Sequence, residues 1–339
     1  MSENRVQSFS KVSILVAARN EADNILDCLR ALDNLSYPKE SLQILIGDDA
    51  SEDNTSQIIA SFIENKPHFQ LFKLPENSAS ALKGKTRVLA HLAQYATGEY
   101  LFFTDADIEV PPHWVENMLV HFKPNVGVVT GITTMNPKPK YWGLGGFQGL
   151  EWLYYLSLVR LFSLFGIPLT AMGNNMATTH EAYKTVGGYE KIGFSITEDY
   201  ALFRAILAKG YDFVQLFDRR VLTISKPILS FRPLLTQRKR WMYGAMELPW
   251  GQRLGVYLNG FLLPILLILG VLTPQLALLL AVVSYIFTTA WLTGAIQWLS
   301  LRTFFVLIPF FWFYHVFMNF AMLVNFYLQP KTIWKGRQY

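Results

Sequence analysis

One cysteine, Cys28, occurs in 339 residues, which excludes an intramolecular disulfide and disfavours a cysteine-ligated zinc site. Such usage fits a reducing compartment. The six histidines, at 68, 91, 113, 121, 180 and 315, show no metal-ligand spacing. Met1–Ser10 is polar and has no apolar signal-peptide core, so the first domain is expected on the cytosolic side. No GxGxxG follows the first predicted strand, which disfavours a dinucleotide fold. Lys83-Gly84-Lys85-Thr86 resembles the end of a phosphate-binding P-loop. Ala79 stands where that motif needs glycine, and no strand directly precedes it, which leaves a lysine such as Lys85 near a diphosphate as the better reading.

Charge is scarce and unevenly placed. Only 16% of residues are charged against 51% apolar and 15% aromatic. None lies between Arg253 and Arg302, and none between Arg302 and Lys331. The first gap holds two spans of roughly 20 residues with a break near Thr273-Pro274, and the second holds one, Thr303–Leu328. Three spans would set the basic tail Lys331–Arg337 opposite the first domain, against the positive-inside tendency, so either the last segment is re-entrant or interfacial or this tail is an exception. The net charge of +5 comes with basic clusters at Arg238–Arg240 and Lys331–Arg337, which flank apolar runs. That placement points to a membrane surface rather than nucleic acid.

The first 135 residues alternate short apolar runs with helical patterns. Val12–Ala17, Gln43–Gly47, Phe69–Leu74, Tyr100–Thr104 and Gly127–Thr133 read as strands buried on both faces. Asn24–Asn34, Thr55–Asn65, Lys85–Thr97 and Pro112–Phe122 read as helices. Strands and helices in this rhythm predict an α/β domain with a mainly parallel sheet. From Tyr141 to Leu169 the chain turns rich in Gly, Trp, Tyr, Phe and Leu, with only Glu151 and Arg160 charged. That composition predicts an interfacial helix inserted in the first domain. The expected layout is the α/β domain over 1–225, an interfacial segment over 226–252 and membrane helices over 253–330.

Polar clusters follow three of the strands, where open α/β sheets bind ligands. They are Arg19-Asn20-Glu21, Asp48-Asp49 and Asp105-Ala106-Asp107. Two carboxylates two residues apart suit a hard divalent cation that takes its other ligands from water and phosphate. Alone, the same pair also fits a solvated loop. Asp48-Asp49 equally fits a turn capping the Thr55 helix. Glu198-Asp199 opens a helix pattern, where acidic residues suit the macrodipole and an ionised Asp can also accept a proton. Gln237-Arg238-Lys239-Arg240-Trp241 fits a basic run anchored by Trp at the headgroup level.

In order and spacing these residues resemble the family 2 glycosyltransferases of GT-A fold. The likeness is to the membrane-attached branch with D, D, D, QxxRW motifs, which includes cellulose, chitin and hyaluronan synthases and ceramide glucosyltransferase. It covers roughly residues 11 to 245. Asp48-Asp49 stands for the first acidic motif, Asp105 and Asp107 for DxD, Glu198-Asp199 for TED, and Gln237, Arg240 and Trp241 for QxxRW. Gly173-Asn174-Asn175-Met176-Ala177 and Gly187-Gly188-Tyr189 match the acceptor-side stretch. The resemblance implies that Asp48 or Asp49 binds uracil and ribose, with Asn20, Glu21, Lys85, Gln237 and Arg240 also on the donor. Asp105 and Asp107 would hold the diphosphate and its Mg²⁺ or Mn²⁺, and Asp199 would be the base of an inverting transfer. Glu198, Asn174 and Trp241 would face the acceptor. The expected partners are a nucleotide sugar, a UDP-sugar by preference, a membrane lipid acceptor and the bilayer of the inner membrane. Three spans make a poor polymer channel, so a lipid acceptor is preferred over a growing polysaccharide. An inactive membrane subunit is the non-enzyme alternative.

Overall fold

The computed structural model describes residues 9–76, 81–136, 138, 143–328, 333–334 and 337–338. The N-terminal residues 1–8, Ala79, Tyr141, Trp142 and most of the basic tail at 331–337 lie outside the described residues. The chain forms two compact units, Met1–Gly131 with Ala171–Leu216, and Ile132–Thr170 with Phe217–Tyr339. It therefore passes between them three times, a layout that no single cut in the sequence expresses.

The first unit begins with β1 (Val12–Ala18), α1 (Ile25–Asp33), β2 (Leu42–Asp49), α2 (Thr55–Ile63), β3 (Phe69–Leu74) and α3 (Gly84–Tyr95). It continues through β4 (Tyr100–Asp105), β5 (Ile108–Glu109), α4 (Trp114–Leu119) and β6 (Val126–Thr130). Then β7 (Ile132–Met135) and α5 (Leu144–Leu164) belong to the second unit. The first unit resumes with β8 (Met176–Thr179), α6 (His180–Thr185), α7 (Gly188–Ile192), α8 (Glu198–Leu207) and β9 (Asp212–Gln215). Its sheet has seven strands in the order β3-β2-β1-β4-β8-β6-β9. Pairing is parallel except where β8 runs antiparallel to both β4 and β6. Ile14, Leu15 and Val16 of β1 and Ile44, Leu45 and Ile46 of β2 are fully buried. Each such side chain contributes about 1.5–3 kcal/mol of transfer free energy, and β-branched residues suit the pleat.

Two strand expectations need correction. Phe69–Leu74 is the sheet's edge, with Gln70 and Lys73 exposed, so it is not buried on both faces. Gly127–Thr133 is not one strand but two, broken at Gly131, where a Cβ would lie 2.4 Å from Asn175 Oδ1. The helix expected over Pro112–Phe122 is confined to Trp114–Leu119.

The second unit adds β10 (Leu222–Ser225), parallel to β7, and then α9 (Phe231–Met246), α10 (Trp250–Leu272), α11 (Pro274–Trp298) and α12 (Ile308–Leu328). Three helical segments, Trp250–Leu272, Pro274–Trp298 and Arg302–Leu328, are long and apolar enough to cross a membrane. Pro274 opens α11 at its first turn, where its missing N–H costs nothing. The glycine-rich aromatic segment is α5, whose residues from Gly145 to Ser157 are mostly buried within this unit. Its glycines permit close packing, since a Cβ on Gly149 would lie 2.8 Å from the Phe304 ring.

Candidate active site

Parallel pairing aligns the carboxyl ends of β1, β2 and β4, bringing Ala18 beside Asp48 and Ala17 beside Asp105. The three polar turns predicted from sequence therefore share one sheet edge. After β1, Asn20 takes φ +51°, and after β2, Ala50 takes φ +53°. A left-handed alanine is strained by roughly 1–2 kcal/mol, and the surroundings hold it. Arg19 Nη1 donates to the carbonyls of Asp49 at 2.6 Å and Ala50 at 3.3 Å. The backbone N–H of Asn20 donates to Ser51 Oγ at 3.0 Å, and Asn20 Oδ1 accepts from the Glu52 N–H at 2.8 Å. The N–H of Glu21 donates to Thr55 Oγ1 at 2.8 Å, and Glu21 Oε2 accepts from Asn24 Nδ2 at 2.7 Å.

Asp48 and Asp49 are both buried. Asp48 Oδ1 accepts from the Ser51 N–H three residues on at 3.2 Å, which ties down the turn after β2. Asp49 is ion-paired with Arg87, a partner that the sequence reading did not single out. Arg87 lies on the buried face of α3 and also donates to the carbonyl of Pro75 at 2.8 Å. The signal was present as a charge at an apolar position of the helical pattern, but nothing in sequence tied it to β2.

At the end of β4, burial alternates. Thr104, Ala106 and Ile108 are buried, while Asp105 at the end of β4 and Asp107 in the turn that follows are half-exposed. Lys85, from the first turn of α3, places its Nζ 2.6 Å from Asp105 Oδ1 and 2.8 Å from Glu198 Oε1. Burial works to discharge this ammonium, but Asp105, Glu198 and Asp199 together raise its pKa above the ordinary lysine value, so it stays cationic. The same negative field reaches Cys28. Its own burial, then Asp107, Asp105 and Glu21, push the thiol up, which removes it as a thiolate nucleophile.

Asp199 sits in the first turn of α8. Its Oδ2 accepts from the Gly173 N–H at 2.7 Å and its Oδ1 from the Tyr200 N–H at 2.8 Å. Burial and the neighbouring Glu198 raise its pKa to about 6, against the lowering effect of Lys85 and the two N–H donors. A carboxyl tuned toward neutrality suits proton transfer. Gly173 is required for this contact, because a Cβ there would lie 2.7 Å from Asp199 Cβ. Gly173→Ala should therefore shift the carboxylate and lower turnover by about 10²-fold, the usual cost of a small misplacement. Steady-state kinetics beside a melting curve checks this, and unchanged kcat would remove Gly173 from the argument. The neighbouring Asn174 is buried, and its carbonyl accepts from Thr104 Oγ1 at 3.0 Å.

The first unit thus gathers Asn20, Glu21, Asp48, Asp49, Lys85, Asp105, Asp107, Asn174, Glu198 and Asp199 along the carboxyl edge of one sheet and the start of α8. Gln237, Arg240 and Trp241 belong to α9 of the second unit. Among the described residues no group of three or more His, Cys, Asp or Glu could hold a metal. Asp105 and Asp107, both half-exposed, offer two hard carboxylate donors, a chemistry that fits a divalent cation completing its shell with phosphate and water.

A mainly parallel α/β sheet with acidic turns at its carboxyl edge, followed by long apolar helices, defines the class as a GT-A-like α/β domain followed by a membrane-type helical region. A mannosyltransferase from Pyrobaculum calidifontis, solved with GDP-Man and Mn²⁺, shares this fold at a TM-score of 0.59 and 18% identity, over 96% of this chain and 89% of that one. The chain belongs to Glycosyl transferase family 2, whose family profile matches residues 13–187, just over half its length. It is 30% identical to the poly-β-1,6-N-acetyl-D-glucosamine synthase of Staphylococcus epidermidis over 71% of this chain and 56% of that protein. It is 31% identical to the β-monoglucosyldiacylglycerol synthase of Trichormus variabilis over 70% of this chain and 49% of that protein. The chain spans about half the length of these curated relatives.

Proposed function

We propose that the chain is an inverting, metal-dependent glycosyltransferase that moves a sugar from a nucleotide sugar to a membrane lipid. The observation that carries this is the grouping of Asp105, Lys85, Glu198 and Asp199, in which a cationic lysine suited to a diphosphate lies beside a carboxyl tuned toward neutrality. Family membership and the glycolipid-synthase relative support it.

Breaking the bond between sugar and diphosphate builds negative charge on the leaving group and oxocarbenium character on the sugar. Asp105 and Asp107 would hold Mg²⁺ or Mn²⁺, which supplies electrostatic stabilisation to the departing diphosphate. Lys85 lies within reach of the same group and adds a second positive charge. Asp48 and Asp49, with Asn20 and Glu21, bind the nucleoside end. Asp199 takes the proton from the acceptor hydroxyl as that oxygen attacks from the face opposite the leaving group, which inverts the anomeric centre. Glu198 and Asn174 border the acceptor. By family resemblance, Gln237 and Arg240 bear on the diphosphate and Trp241 offers an apolar platform for the acceptor.

The test is incubation of the full chain in lipid nanodiscs with membrane lipids, Mn²⁺ and a panel of UDP- and GDP-sugars, read by mass spectrometry. One added hexose on a lipid supports the proposal. A ladder of products would favour the second reading, a polysaccharide synthase, which the S. epidermidis relative supports. Chelation with EDTA is expected to abolish transfer, and added Mn²⁺ or Mg²⁺ to restore it. Full activity in EDTA would remove the metal from the mechanism.

A further inference from the structure

Within the helical unit, a charge pair lies where apolar packing would be expected. Glu151 on α5 and Arg238 on α9 are sealed from solvent, with side chains 3% and 0% exposed. Arg238 donates through Nε at 3.2 Å and Nη2 at 2.6 Å to Glu151 Oε2, and the Tyr314 hydroxyl donates to the same oxygen at 3.2 Å. The guanidinium's remaining edge reaches the family motif on either side of it. Its Nη1 donates to Gln237 Oε1 at 2.7 Å, and its carbon lies 4.0 Å from the centre of the Trp241 ring. Trp152, next to Glu151 on α5, meets Trp241 edge-on with ring centres 5.3 Å apart.

We propose that Arg238 and Glu151 are positioning residues for the acceptor step, which fix the Trp241 ring and the Gln237 amide in one orientation. This rests on the reading of Trp241 as the acceptor platform. Arg238 occupies a variable position of QxxRW, and Glu151 lies outside the motif. Stability alone does not call for the pair, because well-packed apolar residues of similar volume commonly replace a buried ion pair without loss. A planar guanidinium does what they do not. Its fork is fixed by the carboxylate, so its face and free edge are fixed too. The ring at the face and the amide at the edge inherit that geometry, and cation–π attraction holds the ring against the guanidinium.

The test uses the full chain in nanodiscs, labelled with 5-fluorotryptophan, with the Trp241 ¹⁹F signal assigned through Trp241→Phe. The main variant is Glu151→Leu with Arg238→Met, which keeps the volume and removes both charges. Tyr314→Phe is the second variant, which deletes one hydroxyl and keeps both charges should the double variant fail to fold. Expected for the double variant are a wild-type melting temperature, a displaced or broadened Trp241 signal and weaker donor binding, since the Gln237 amide loses the guanidinium that holds it. Transfer to the lipid acceptor should fall by about 10²-fold, as small displacements of positioning groups do. Tyr314→Phe should move the same signal less. An unmoved Trp241 signal in both variants overturns the proposal, and so does a moved signal with acceptor kcat and KM unchanged. If the wild-type chain transfers sugar to no lipid while the signal still moves, the acceptor reading falls and the orientation of Trp241 by Arg238 stands.

Discussion

Asp199→Asn is expected to lower sugar transfer by about 10²–10⁴-fold, the range for losing a positioned general base, while donor affinity stays near wild type. The substitution keeps the shape of the side chain. One oxygen continues to accept from Gly173 or Tyr200, and the new amide N–H₂ faces the other donor, so one of the two backbone bonds is lost. That loss costs about 1–3 kcal/mol. It is offset near neutral pH, because a buried carboxylate that repels Glu198 is removed. The sign follows from the raised pKa of about 6. A carboxyl whose folded pKa lies above its unfolded value favours folding at acid pH and opposes it progressively as pH rises through about 6. At pH 7–8 the Asn variant should therefore melt close to wild type. Isothermal titration with the nucleotide sugar, beside a transfer assay, separates the two effects. Wild-type turnover in Asp199→Asn would sink the base assignment.

The same shift predicts the pH profile. Asp199 must be ionised to accept a proton, so kcat/KM should fall on the acid side of about pH 6 in the free enzyme. The cation that accompanies the donor should move the acid limb of kcat lower, because positive charge favours the carboxylate. A flat profile between pH 5 and 7 would require another base.

Much of this site was legible because its parts are local. Strand-then-carboxylate at Tyr100–Asp107 and at Gln43–Asp49 is read directly from an apolar run and the polar residues that end it. Parallel register then places Ala17 opposite Asp105 and Ala18 opposite Asp48 without further information. What sequence did not carry were the partners of those groups, since an ion pair between distant elements leaves no periodic trace. Arg87 on α3 reads as one polar residue in a helix, yet it is buried against Asp49 on β2. Glu151 reads as a stray charge in an aromatic helix, yet it is sealed against Arg238, 87 positions on. The break at Gly131 was hidden for a related reason. Val126–Met135 is an uncharged stretch rich in Val and Thr, and the close approach of Asn175 to Gly131, where the strand breaks and the two units divide, leaves no mark in it.

Lys85→Met is expected to produce the other large effect, with opposite signs in two assays. In the resting protein the Lys85 ammonium lies between Asp105 and Glu198, with Asp199 contributing to the same field. Its removal leaves three carboxylates without their cation. Breaking a buried pair costs about 3–5 kcal/mol, and the low end applies because the Asp105 side chain is 33% exposed. The melting temperature should fall accordingly. With the metal at Asp105, as proposed above, Lys85 would compete with it for Oδ1, so Mn²⁺ without nucleotide should bind the variant more tightly and restore most of the lost stability. Turnover should still drop by about 10²–10³-fold, as when one donor to developing charge is deleted, because the leaving diphosphate loses a positive group that the added metal does not replace in position. Calorimetric melting with and without Mn²⁺, set beside a transfer assay, reads both signs. Equal stabilisation of wild type and variant by Mn²⁺ would mean that Lys85 and the metal do not share Asp105. The lysine would then be a structural tie between α3 and α8 rather than the resting occupant of the diphosphate site.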